Sequence, residues 1–176
     1  MKRKIVKTGD PRLRKISKPV KKIDKKILSL IADLKETLLA QKDPEGVGLA
    51  APQIGKSLQV FVMRADDKLK TIINPEILVI SDKQQVKRKK KKKQTMEGCL
   101  SMPHYYAPLK RAKRIKLKYL TENGKEKVET FEGFPAQIVQ HEIDHLKGVL
   151  FIDRLLKQKR PLYELKGNKW EEINLT

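Results

Sequence analysis

The sequence predicts an α+β fold: mostly antiparallel strands around a central metal-binding helix, with an outer N-terminal helix and a small C-terminal hairpin. Three observations lead there. Ile27, Ile31, Leu34 and Leu38 recur at the period of one helix face, Arg114 to Leu120 alternates at the period of a strand, and His141 and His145 stand four residues apart. The 176 residues are expected to form a single domain spanning 1–176, within which 87–93 reads as a basic loop and 156–176 as a divergent C-terminal segment.

The elements follow in order. Leu30 and Leu39 widen the first helical stripe, Asp24 is its expected N-cap, and Asp43-Pro44 its expected stop. A small-residue loop, Gly46 to Gln53, leads into two β-rich stretches, Leu58 to Met63 and Thr71 to Ile80; Pro75 points to an edge position or a bulge in the second. The tract Lys87-Arg88-Lys89-Lys90-Lys91-Lys92-Lys93 cannot pack against itself and is expected as a solvated loop. Ile115, Leu117 and Tyr119 alternate with basic residues, and Asn123-Gly124 turns that strand into Lys127 to Phe131. A second helix is expected from about Pro135 to Leu146, with Gly148 just past its end. Val149 to Ile152 reads as a strand, and Leu162 to Leu165 and Trp170 to Ile173 flank Gly167-Asn168 as a hairpin.

Composition narrows the class. With 39% hydrophobic residues the chain can build a core, and no apolar run approaches the roughly 18 residues needed to span a membrane. Met1 to Val6 is basic but lacks the apolar stretch of a secretory signal, and one cysteine forms no internal disulfide, so the expected compartment is the cytoplasm. A net charge of +20 favours polyanionic partners, with nucleic acid and anionic membrane surfaces both qualifying.

The chemistry sits in His141-Glu142-Ile143-Asp144-His145. On a helix the two imidazoles face one way and can converge on one metal ion, and Glu142 is then placed to act on a metal-bound water. Taken alone, each part has a plainer reading: a charged helix face, satisfied surface histidines, or Cys99 as a small buried hydrophobe. Cys99 together with two histidines, however, is a catalytic ligand set that leaves a fourth position open. Glu97 and Gln140 are candidates for orienting the ligands, and Asp144 for an ion pair holding the helix.

Gly46-Val47-Gly48-Leu49-Ala50-Ala51-Pro52-Gln53, Glu97-Gly98-Cys99-Leu100-Ser101 and Gln140-His141-Glu142-Ile143-Asp144-His145 together resemble the three motifs of the peptide deformylases, in order and at similar spacing. The resemblance begins with Val6 to Arg14 and runs to about Leu155. It implies removal of the formyl group from formyl-methionyl nascent peptides, with one divalent metal per chain, Fe²⁺ first and Zn²⁺, Ni²⁺ or Co²⁺ able to replace it. It assigns the ligands to Cys99, His141 and His145 and the proton transfers to Glu142. Stabilisation of the carbonyl oxygen falls to the Gln53 amide and the Leu100 backbone N–H. It further implies that Val47 and Gly48 pair with the substrate backbone, while Phe134, Ile138 and Val47 line the methionine pocket. The reading is of a monomer without a membrane partner. In the family, docking at the ribosome is attributed to a basic C-terminal extension. Here Glu164, Glu171 and Glu172 dilute that segment, so Lys87–Lys93 is expected to share that contact.

Two departures stand out. His104, followed by Tyr105-Tyr106, replaces residues that are often glycine or charged in the family; it is expected at the rim rather than as a ligand. The lysine tract makes its segment far more basic than is usual. Two rivals remain. A zinc endopeptidase would need a further ligand downstream, where no histidine follows His145 and the acidic candidates are Asp153, Glu164, Glu171 and Glu172. A nucleic-acid-binding protein with a vestigial site would answer to the charge, but the lysine run carries no interleaved aromatics for stacking.

Overall fold

The computed structural model describes residues 1–65, 68–82 and 96–174, so the Lys87–Lys93 tract lies outside the described residues. In chain order the elements are α1 (Lys25–Leu39), β1 (Gly48–Ala50), β2 (Val60–Ala65), β3 (Lys68–Ser81), β4 (Glu97–Cys99), β5 (Met102–Ala107), β6 (Arg114–Leu120), β7 (Glu126–Glu132), α2 (Phe134–Leu146), α3 (Phe151–Gln158), β8 (Leu162–Lys166) and β9 (Lys169–Ile173). Two antiparallel sheets result, ordered β1-β2-β3-β6-β7 and β4-β5-β8-β9. None of the helices among the described residues is long and apolar enough to cross a membrane.

The first sheet is buried on both faces along β2 and the facing part of β3, because the two helices cover opposite sides there. Along β2 the period-2 alternation divides the residues between two cores. Phe61 and Met63 pack with Ile115, Leu117, Tyr119 and Phe131 against Ala136, Val139, Ile143 and Leu146 of α2. Val60 and Val62 pack with Ile73 and Leu49 against Leu30, Ile31, Leu34 and Leu38 of α1. The expected inward set on β6 is buried, with Ile115 and Leu117 at 0% exposure and Tyr119 at 2%.

Asp24 caps α1, accepting from the backbone N–H groups of Lys26 at 2.9 Å and Ile27 at 3.0 Å. The helix ends at Leu39, ahead of Asp43-Pro44, so the proline is not its stop. The Gln41 amide instead donates to the Thr37 carbonyl at 2.9 Å, occupying an acceptor that the next turn would have used. Pro75 lies in a strand that pairs on both sides, with β2 through Lys68–Ile73 and with β6 beyond it, and its missing N–H falls in the register shift between Ile73 and Glu76. It is at a bulge, just beyond the stretch that β2 covers.

The strand expected at Val149 to Ile152 is not formed. Leu150 instead caps α3, its N–H bonded to Asp153 Oδ2 at 2.7 Å, while Phe151 and Leu155, four apart, bury against Cys99, Leu109 and Leu162. A four-residue apolar run has too few periods to distinguish a strand from a helix start. The C-terminal hairpin forms as expected through the two-residue Gly167-Asn168 turn, with Gly167 at φ +59°. It does not stand apart, because β8 pairs with β5 through Tyr105↔Glu164 and Tyr106↔Tyr163, which joins it to the sheet that carries Cys99.

Candidate metal centre

Three elements meet at the centre. Helix α2 projects His141 and His145 from one face, with ring centroids 4.9 Å apart. The hairpin of β4 and β5 turns tightly at Leu100-Ser101, with Cys99 paired to Met102, and presents Cys99 Sγ 3.3 Å from His145 Nε2. One donor atom from each of Cys99, His141 and His145 falls within 4.8 Å of the others, and all three residues are buried. The N-terminal arm ties the supporting loops together: Val6 N–H donates to the Gln53 carbonyl and Thr8 N–H to the Ser101 carbonyl, each at 2.8 Å.

Each polar group at this centre has a physical reason for its state. Glu97 Oε1 accepts from His141 Nδ1 at 2.8 Å, which leaves the other ring nitrogen, Nε2, to meet Cys99. Burial alone would raise the Glu97 pKa, but His141 and Arg111 outweigh it and hold the carboxyl down at about 2. Burial likewise opposes ionisation of Cys99, and the neighbouring His145 and His141 overcome it, so its pKa is lowered to favour thiolate. Glu142 is pushed the other way, to about 7, because desolvation exceeds the opposing pull of His141 and His145. No hydrogen-bond partner among the described residues reaches Glu142 Oε2 or His145 Nδ1. A buried soft thiolate and two imidazoles, one held in orientation by a carboxylate, suit a divalent transition metal with room for a further ligand.

Gly48 of β1 lies directly over Glu142. A Cβ there would collide with Glu142 Oε1 and sit 2.9 Å from Ile138 Cγ2, so any side chain at this position would displace the Glu142 carboxylate. Gln53 bonds on two sides. Its Oε1 accepts from the Ala50 N–H at 2.9 Å, capping local backbone, and its Nε2 faces Ser101 Oγ at 3.2 Å and Cys99 Sγ at 3.7 Å. A cavity of about 290 Å³ opens beside the three donors, and Val47, Gly48, Gln53, Leu100, Phe134, Ile138 and Glu142 all line it. Ile138 is buried, whereas Phe134 is half-exposed.

Gln140 departs from its expected place beside the ligands. Its amide accepts from Ala112 N–H and donates to the carbonyls of Ala112 and Ala136, clamping the approach to β6 onto α2. The carboxamide matches a backbone N–H and C=O pair, and this use leaves nothing for Cys99 or the histidines. His104 also lines the cavity, its Nδ1 3.9 Å from Asp43 Oδ1, and is not one of the clustered donors. Arg111 is what the sequence reading missed. Its side chain is only 8% exposed and bridges Glu97 at 2.7 Å and Asp144 at 2.6 Å, while Arg154 holds the same Asp144 at 2.9 Å. One arginine among many basic residues carries no local mark; only the buried carboxylates it neutralises single it out. Of the acids considered as endopeptidase ligands, Asp153 bonds Arg14 and Leu150, and Glu164 and Glu171 pair with Lys166.

The family profile described as polypeptide deformylase matches residues 2–161. The chain belongs to this family. A peptide deformylase of Pseudothermotoga lettingae is 45% identical over 160 residues, covering 91% of this chain and 86% of the relative. The crystal structure of the peptide deformylase from Thermotoga maritima superposes with a TM-score of 0.76 at 43% identity, over 88% of this chain and 97% of that one. A peptide deformylase from Synechococcus elongatus, solved in complex with actinonin, gives a TM-score of 0.75 at 34% identity over 85% and 76% of the two chains. The protein is accordingly a hydrolase that removes the N-terminal formyl group from nascent polypeptides, and the deformylase family together with the Cys99, His141 and His145 cluster indicates a single metal site.

Proposed function

We propose that Cys99, His141 and His145 hold one divalent ion and that the surrounding side chains carry out hydrolysis of the formyl amide. The observation that carries this reading is the convergence of three buried donor atoms within 4.8 Å beside a lined cavity. When bound, a divalent ion there supplies Lewis acidity toward the formyl carbonyl and the attacking water. Glu142, buried beside the three donors with Oε2 left without a protein partner among the described residues, takes the proton of the water and delivers it to the departing amine. Gln53 Nε2 and the Leu100 N–H donate to the carbonyl oxygen as it becomes anionic. Glu97 keeps the His141 ring in orientation through Nδ1. Val47 and Gly48 offer the outer edge of β1 to the substrate backbone as an added strand, since β1 ends its sheet. Phe134, Ile138 and Val47 surround the methionine side chain.

One thiolate and two imidazoles suit several metals; the family favours Fe²⁺, with Zn²⁺, Ni²⁺ and Co²⁺ as alternatives. We place the enzyme in the cytoplasm as a monomer of one domain, meeting formyl-methionyl chains at the ribosome, where Lys87–Lys93 contributes contact to RNA phosphate. Anaerobically purified protein should contain one metal per chain and release formate from a formyl-methionyl peptide. Cys99→Ala should lose both metal and formate release; a Cys99→Ala protein that keeps full metal occupancy excludes Cys99 as a ligand. An endopeptidase using only the helix would tolerate that change.

A further inference from the structure

Aromatic residues are scarce in this chain, with one tryptophan and four tyrosines. Yet Tyr105, Tyr106, Tyr163 and Trp170 all belong to the small sheet that carries Cys99. Tyr106 lines the cavity, and its ring lies flush on β4: a Cβ on Gly98 would sit 2.7 Å from its Cδ1 and Cε1. Trp170 meets that ring edge-on, centroids 5.2 Å apart at 82°, yet remains 49% exposed. A large indole in direct contact with a cavity wall and half open to solvent continues the apolar surface of that wall outward. On the same hairpin Lys166 pairs with both Glu164 and Glu171. The hairpin that delivers Trp170, β8 with β9, begins at Leu162, just past the residues 2–161 that the family profile matches.

We propose that Tyr106 and Trp170 form a ledge that takes an apolar or aromatic side chain of the peptide at the second or third residue, downstream of the formyl-methionine. The proposal rests on the reading of the Cys99 centre as the place where the formyl group is cut, because that fixes the cavity as the entry of the peptide. The ledge is continuous with that cavity through Tyr106, which borders both. It selects by contact with ring faces, so it acts on binding and not on the chemical step.

The test compares formyl-Met-Ala-Ala with the same peptide carrying phenylalanine at the second or at the third position. Wild-type enzyme should show a KM about fivefold lower for one of the phenylalanine peptides, at unchanged kcat. Trp170→Ser should erase that preference and leave formyl-Met-Ala-Ala kinetics as they were, and Trp170→Phe should retain most of it. Equal KM values for the three peptides in the wild type, or an equal loss on all of them in Trp170→Ser, overturns the ledge. Trp170 is the only tryptophan, so its emission should also change on titration with the deformylated phenylalanine peptide that the wild type prefers, and an unchanged spectrum at saturation counts against the proposal. If emission responds but no peptide is deformylated, the ledge stands and the reading of the Cys99 centre fails.

Discussion

Helices α1 and α2 flank the same sheet and obey opposite rules. In α1 the buried set is Leu30, Ile31, Asp33, Leu34, Thr37 and Leu38, and its lysines lie on the exposed side, as an amphipathic helix requires. In α2 ten of the thirteen residues are buried, and Gln140, His141, Glu142, Asp144 and His145 are among them. The difference lies in what each polar group has for a partner. Asp144 is held by Arg111 and Arg154, His141 by Glu97, Gln140 by the Ala112 backbone, and His145 faces Cys99. Glu142 Oε2 and His145 Nδ1 are the atoms on this helix left without such a partner among the described residues. A polar group is tolerated inside only when its hydrogen bonds are replaced, so α2 depends on residues from other elements far more widely than α1, whose buried Asp33 and Thr37 are held by Met1 and Arg3.

That contrast can be broken experimentally, and the largest effect is expected at the one α2 carboxylate left free. Glu142→Gln should retain metal by elemental analysis while kcat for formate release falls by about 10²–10⁴, because an amide keeps the shape but cannot accept a proton. Near-wild-type turnover with full metal would remove Glu142 from the chemistry. Arg111→Leu should cost about 3–5 kcal/mol in denaturant unfolding, since it leaves Glu97 and Asp144 short of a buried counter-charge. A cost below about 1 kcal/mol would mean that these carboxylates find other partners.

On the α1 side, Leu34→Ala should cost about 2–5 kcal/mol of stability by opening a cavity at a fully buried position, yet leave kcat unchanged in the folded fraction. A fall in kcat would show that the outer helix shapes the site. The smallest effect is expected at the α1 cap. Asp24 has its pKa lowered by the Ile27 and Lys26 N–H groups, so its contribution is present above its unfolded pKa and is lost as pH falls through the folded one. The melting difference between wild type and Asp24→Ala should therefore be present at neutral pH and vanish in acid; a difference that persists in acid would assign the effect to something other than the carboxylate.

The same contrast explains which parts were readable in advance. The stripe of α1, the alternation of β6 and the Gly167-Asn168 turn are written in neighbouring residues and formed where expected, except that Leu39, at the helix end, is 48% exposed instead of widening the stripe. The motif His141 to His145 was readable for the same reason, since four residues on a helix determine a shared face. Gln140 was misplaced because the choice between a ligand and the Ala112 backbone depends on a segment 28 residues away. Val149 to Ile152 was misread because a short apolar run carries no decisive period, and the deciding bond comes from Asp153.

By itself, then, the amino-acid order determined the fold class, the period of each long element and the residue types capable of binding a metal, since all of these follow from local geometry and side-chain chemistry. Tertiary structure alone decided the rest. It brought Cys99 to within 3.3 Å of His145 across 46 positions, chose Arg111 from the many basic residues as the buried bridge, and set Trp170 against Tyr106. Those choices depend on which distant groups share a low-dielectric interior, where each charge must be matched, and local sequence carries no record of who the match will be.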